Sequence, residues 1–139
     1  MSTSTAIFWP VIAQVALIHA VYILMLKRRS RAVRAGLAKL QDYCIPAIEP
    51  EPSATVAHSL INQFELPVLF FFVCILFYLT AGVNHAVLAV AWLFVLSRFA
   101  HAYVHVTSNR LKFRQRLFVS GFVLNVMLWV LFAVHIAAG

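Results

Sequence analysis

The sequence predicts an all-α integral membrane protein built as a four-helix bundle protomer, and three observations carry that prediction. Hydrophobic residues make up 63% of the 139-residue chain and charged residues only 11%, more apolar side chains than a soluble domain of this size can bury. The apolar residues fall into four runs, each long enough at about 1.5 Å per residue to cross a hydrocarbon layer of about 30 Å. The basic residues cluster at the ends of those runs, where lipid headgroups neutralise them. The net charge of +7 is therefore assigned to a membrane surface, and no nucleic-acid partner is expected. Cys44 sits in a polar segment and Cys74 in an apolar run. That arrangement gives neither a disulfide ladder nor C-x-x-C spacing, so no metal site is expected.

The first helix is expected over about residues 7–26. Trp9 and Pro10 suit its membrane edge, where an amphipathic ring is welcome and the first turn tolerates a missing N–H. The polar residues 1–5 and the long run behind them do not fit a cleavable signal, so this run stays in the membrane. Its basic flank, Lys27-Arg28-Arg29, comes after it and sets the amino end outside. Gln14 and His19 lie on different sides of the helix and are expected to bond a neighbouring helix as neutral groups. A basic loop over 27–52 follows at the cytoplasmic side, with six Lys and Arg residues from 27 to 39 and turn-forming prolines over 46–52.

Ser53 is the expected N-cap of a second helix over 54–81, about 40 Å long. His58, Asn62 and Glu65 are spaced i, i+4, i+7 and form one polar stripe, beside which Pro67 predicts a kink. Glu65 is the one acid inside any apolar run. An ionised carboxylate near the bilayer centre costs about 2.5–3.5 kcal/mol on insertion scales, so the chain must supply a partner. Thr80, Gly82 and Asn84 make a tight outer turn. The third helix, over 85–106, carries Arg98, His101 and His105 at i, i+3, i+7. With the hairpin pivot at 82–83, residues whose numbers sum to about 165 share one depth, which sets Glu65 between Arg98 and His101.

A polar link over 107–116 holds Arg110, Lys112, Arg114 and Arg116, and the fourth helix over 117–138 carries Asn125 and His135. Basic inner segments against an outer turn without Lys or Arg place both termini outside and the basic loops in the cytoplasm. The expected location is a bacterial inner (cell) membrane, crossed several times.

Three readings of the polar group His58, Asn62, Glu65, Arg98, His101 and Arg114 stand side by side. In the first, Glu65 pairs with Arg98 to stitch two helices in a non-catalytic bundle whose polar stripe fixes helix pairing and assembly. In the second, the group is a pocket for an anionic ligand. Arginines fit carboxylates bidentately, Asn62 reads a peptide group, Glu65 holds an amino end and an arginine favours a thiolate, which together describe a zwitterionic thiol tripeptide. In the third, histidines from two helices, among His19, His58, His101 and His105, ligate haem b.

The run Asn62-Gln63-Phe64-Glu65-Leu66-Pro67 in the second helix resembles the N-x-x-E signature of the membrane-associated proteins in eicosanoid and glutathione metabolism, the MAPEG family. The third helix adds Arg98-Phe99-Ala100-His101-Ala102-Tyr103, similar to that family's R-x-x-H segment, before a basic link with Arg110 and Arg114. The resemblance covers essentially the whole chain, as a single transmembrane domain over 1–139. It implies a homotrimer of four-helix protomers that binds glutathione between subunits as co-substrate, with transferase or peroxidase activity on a hydrophobic small molecule. Carried onto this chain, the glutathione contacts would be His58, Asn62, Glu65, Arg98, His101, Tyr103 and His105. The thiolate-stabilising residue would be Arg114, or Arg110 if the link carries a gap. An arginine from 27–31 would reach over from the adjacent subunit. The chain departs from the family pattern at His58, where active relatives carry arginine, and at Leu66 and Phe99, where some carry tyrosine.

Overall fold

The computed structural model describes residues 4–44 and 51–138. A 3-10 turn, Ser4–Ile7, leads into α1 (Phe8–Arg34). A second 3-10 segment, Leu40–Cys44, is followed by α2 (Glu51–Asn62), α3 (Leu66–Leu79), α4 (His85–Val106) and α5 (Leu111–Ala138). Among the described residues, four helical stretches are long and apolar enough to cross a membrane, with α2 and α3 together making one of them. The expected all-helical four-span protein is thus the observed one.

The helices outrun the apolar runs that announced them. α1 continues eight residues past Leu26, so residues 27–34 of the expected loop are helical. Hydropathy marks where hydrocarbon ends, whereas Lys, Arg and Ala keep the backbone ladder going beyond it. The helix stops where Gly36 turns to φ +70°. There Gly36 N–H donates to Val33 O and Leu37 N–H to Ala32 O, the paired bonds that satisfy the last carbonyls. The chain then folds back, with Tyr43 Oη donating to Arg29 O at 3.4 Å and the Arg29 guanidinium 5.1 Å from the Tyr43 ring. α5 likewise begins at Leu111 and not near 117, behind Asn109 in the left-handed region at φ +46°.

α2 begins at Glu51, which puts Ser53 inside the first turn and not at the cap expected for it. A proline at position 52 is tolerated there because a first-turn N–H has no helical acceptor. Of the prolines expected in the loop, Pro46 and Pro50 lie outside the described residues.

The second span breaks where only a kink was expected. Gln63 N–H and Phe64 N–H close back on Leu60 O and Ile61 O, three residues behind them, which ends α2. Glu65 stands outside helical geometry at φ −92°, ψ −91°, and α3 restarts at Leu66 with Pro67 in its first turn. Pro67 has no N–H to offer the Gln63 carbonyl, so the ladder cannot run through.

Two apolar cores result. One, at the turn end, joins Ile7 to α3, α4 and Leu128, with Phe70 and Phe94 stacked at 4.4 Å and 18°. The other, toward the basic end, joins Leu17, Ile18, Val21 and Met25 to Val56, Leu60 and Ala102. The turn between α3 and α4 is fastened twice. Asn84 accepts from Val87 N–H at 3.0 Å as the N-cap of α4, and His135 Nε2 lies 3.2 Å from Thr80 O and 3.1 Å from Thr80 Oγ1. Gly82 lets the His135 ring approach this closely, since a Cβ would lie 2.6 Å from the ring and displace it.

Gln14 finds the neighbouring-helix partner expected of it. Its Nε2 donates to Gln63 Oε1 at 3.0 Å, with both side chains fully buried. His19 does not, because its Nδ1 bonds Val15 O of its own helix at 2.9 Å on an exposed face. Gln14→Leu should destabilise the detergent-solubilised protein by about 1–3 kcal/mol, because it strands the Gln63 amide. Adding Gln63→Leu should restore most of that loss in a thermal melt. A double variant no more stable than the single one would deny the pair its role.

Candidate functional site

The polar groups converge on one side of the α2–α3 break, toward the basic end. Arg98 on α4 is fully buried. Its Nη2 donates to Asn62 O at 3.0 Å, the carbonyl left over where α2 ends, while Nε and Nη1 have no hydrogen-bond partner. Gly121 of α5 allows this: a Cβ there would sit 3.1 Å from Ser97 Oγ and 3.4 Å from Arg98 Cδ. The small residue lets α5 close over the guanidinium, and Phe118, one turn earlier, lies 5.9 Å from it.

His101 and His105 extend the line toward the basic end. Both are 2% exposed, their rings are 5.7 Å apart, and the Nδ1 of each is buried without a partner. Arg114 reaches back from the first turn of α5, its Nη1 3.2 Å from His105 Nε2 and 2.9 Å from Asn109 Oδ1. A guanidinium only donates, so His105 Nε2 accepts and its ring proton sits on Nδ1. The same bond occupies the lone pair an iron would need, which weakens the haem reading at this residue.

Two clefts open onto this group and share Asn62 and Arg114. One, of about 370 Å³, is also lined by His101, Leu111, Gln115 and Phe118. The other, of about 320 Å³, is also lined by His58, Ile61 and His105. The structure therefore gathers Asn62, His58, His101, His105 and Arg114, with Arg98 immediately behind them.

Glu65 is not among them, and the expected pairing with Arg98 is corrected. The carboxylate is exposed on the protomer surface and bonds none of the Arg98 N–H groups, although it is near enough to act on Arg98 electrostatically. The stripe was built on uninterrupted helical phase, and the break at 63–65 rotates Glu65 out of it. Tyr103 is 69% exposed, on a face away from both clefts. Arg110 is also exposed and lines neither cleft. Leu111 and Gln115 were missed because residues 107–116 were read as a link, and Phe118, in the expected fourth helix, was given no role. Their i, i+4, i+7 spacing is the signal that would have placed them on one helical face.

A family model described as the MAPEG family matches residues 6–134. The chain belongs to the MAPEG family. Searches of curated proteins and of solved structures gave no match. Membership places this MAPEG protein among membrane proteins associated with glutathione and eicosanoid metabolism. The family resemblance carried by Asn62, Glu65, Arg98 and His101 is thus matched by a model covering nearly the whole chain.

Proposed function

We propose that this MAPEG protein binds glutathione at its basic end and activates the thiol for attack on a hydrophobic electrophile or lipid hydroperoxide. The observation that carries the reading is the unfilled hydrogen-bonding capacity around Arg98: two nitrogens of its guanidinium and two imidazole nitrogens, buried and unpartnered, beside clefts that open to the basic end. Buried polar groups are retained unpaired at a cost of about 1–3 kcal/mol each, and an anionic, amide-rich ligand reaching into this site would supply the missing acceptors.

Asn62 and the His101–His105 pair would orient the peptide, and Arg98 would attract its carboxylates from behind. Arg114 would stand closest to the thiol and stabilise thiolate, the form that acts as nucleophile. In conjugation the sulfur bonds to the electrophilic carbon, the leaving group departs with its electron pair, and the thiol proton goes to water. Glu65, exposed on the protomer yet within a membrane span, calls for cover by a neighbouring subunit or by the amino group of the ligand. That requirement supports a homotrimer with its site near the subunit boundary, where the hydrophobic substrate enters from lipid. The basic end is assigned to the cytoplasm of a bacterial inner membrane, with both termini outside.

Calorimetric titration of the solubilised full-length protein with glutathione tests this. Saturable binding that Asn62→Ala weakens tenfold or more is expected. No binding between pH 6 and 8 would leave the structural reading, which the Arg98–Asn62 bond favours, as the account of the polar group.

A further inference from the structure

The two clefts that meet at Asn62 and Arg114 are otherwise unlike. The one of about 320 Å³ adds His58, Ile61 and His105, whereas the one of about 370 Å³ adds His101 and a strip of α5 made of Leu111, Gln115 and Phe118. We propose that Gln115 selects the electrophile: its carboxamide donates to an oxygen conjugated with the carbon under attack, so that enones and nitroarenes are preferred to simple alkyl halides. The assignment rests on the glutathione reading given above and names the substrate class within it.

Position carries the first step. Arg114 and Asn62 line both clefts, while Gln115 lines one. A thiolate held by Arg114 would lie where the clefts join, with His58 and His105 to one side of it and Gln115 to the other. Gln115 then faces the molecule that the sulfur attacks and not the peptide that carries the sulfur.

The strip around Gln115 fits an apolar molecule with one acceptor. Leu111, Gln115 and Phe118 share a helical face at i, i+4, i+7, with Leu111 about 6 Å and Phe118 about 4.5 Å from Gln115 along the axis. Leu111 is 65% exposed at the mouth. Phe118, further into the span, is partly buried, its ring 5.9 Å from the Arg98 guanidinium and 5.9 Å from the His101 ring. Gln115 is the one uncharged polar side chain from 111 to 118, and it makes no hydrogen bond with any other described residue. Its donor is free for a ligand.

The chemistry decides which ligand oxygen gains most. A neutral N–H holds a carboxylate less strongly than the neighbouring arginine does, yet it suits an oxygen that becomes charged only during reaction. When a thiolate adds to an enone, the S–C bond forms at the β carbon and the C=C electron pair moves to the carbonyl oxygen as enolate. The α carbon then takes a proton from water and the carbonyl re-forms. The Gln115 N–H strengthens its bond as that charge arrives, beside apolar walls that reduce screening. An alkyl halide puts its developing charge on the departing halide and offers no such oxygen.

Rates of glutathione addition to benzylideneacetone and of displacement on benzyl chloride, two aryl electrophiles of similar size, test the proposal in the solubilised full-length protein, beside calorimetric titration with glutathione. In Gln115→Leu the ratio of kcat/KM for benzylideneacetone to that for benzyl chloride should fall about thirtyfold, less than the roughly hundredfold or more that a fully enclosed oxyanion donor supplies. Gln115→Glu keeps the shape but presents only acceptors when ionised, and should lower the ratio further. Gln115→Asn keeps the donor on a shorter arm and should recover part of it. An unchanged ratio in Gln115→Leu would overturn the assignment, and two rates falling together would mean that Gln115 acts on the sulfur. Glutathione binding by wild type with an unchanged ratio in the variant overturns this assignment alone, whereas a wild type that binds no glutathione overturns the reading beneath it as well.

Discussion

Arg98→Met is expected to leave the bundle at least as stable as the parent while abolishing glutathione binding. The parent holds a guanidinium in a fully buried position with one hydrogen bond, to Asn62 O, and with Nε and Nη1 unpartnered. That bond, made by a charged donor, contributes about 1.5–3 kcal/mol, and the two stranded donors cost about 1–3 kcal/mol each. Methionine nearly preserves the volume, removes the stranded donors and leaves one carbonyl to find another partner. Replacement of buried charges by apolar groups of similar size is commonly neutral or stabilising. Loss of a buried charged contact to a ligand costs about 2–5 kcal/mol, which is thirtyfold to several thousandfold in affinity. Thermal melts and glutathione titrations of the same preparations decide the matter. A variant that unfolds would make Arg98 a structural strut, and one that binds normally would remove it from the site.

Arg114→Gln should slow conjugation of chlorodinitrobenzene tenfold or more near pH 7 and steepen its dependence on pH. A thiol ordinarily titrates near pH 8.5, and each unit by which a nearby cation lowers that value is about 1.4 kcal/mol in favour of thiolate. With the guanidinium present, the rate should level off at lower pH. Without it, the rate should climb through about pH 8.5 and approach wild type above it. The sign is fixed, since removing a cation can only favour the protonated thiol. Arg114 also fixes His105 and Asn109, so Asn109→Ala is the companion variant. It should lower the rate at every pH without moving the profile. Identical profiles for Arg114→Gln and wild type would remove Arg114 from the chemistry.

The span count and the turn between α3 and α4 were legible because hydropathy and spacing report directly on a solvent boundary. The register at which numbers sum to about 165 is nearly met where Asn62 accepts from Arg98. The ends of α1 and α5 were not legible from the same signal, since a basic helix leaves hydrocarbon without unwinding. The position of Glu65 was hidden for a sharper reason. The sequence announces a proline, but whether the preceding turn bends or closes off depends on acceptors found only in three dimensions. Here Arg98 takes the Asn62 carbonyl that a continuous helix would have used. Gln14 takes the Gln63 side chain, and Asn125 Nδ2 lies 3.4 Å from Leu66 O. Three polar side chains on three other helices stabilise the interruption, and no local pattern encodes them jointly.

Phe70 and Phe94 lie one turn beyond Glu65 and Arg98 on the side of the turn, fully buried and stacked, with Phe77 and Phe132 edge to face behind them. These rings form a dry plug across the protomer. Water and ions that follow a charged solute into the polar half meet a hydrocarbon septum before they can traverse the bilayer. The stacked and edge-to-face rings therefore separate the polar group of the basic half from the turn end of the protomer by a layer of hydrocarbon.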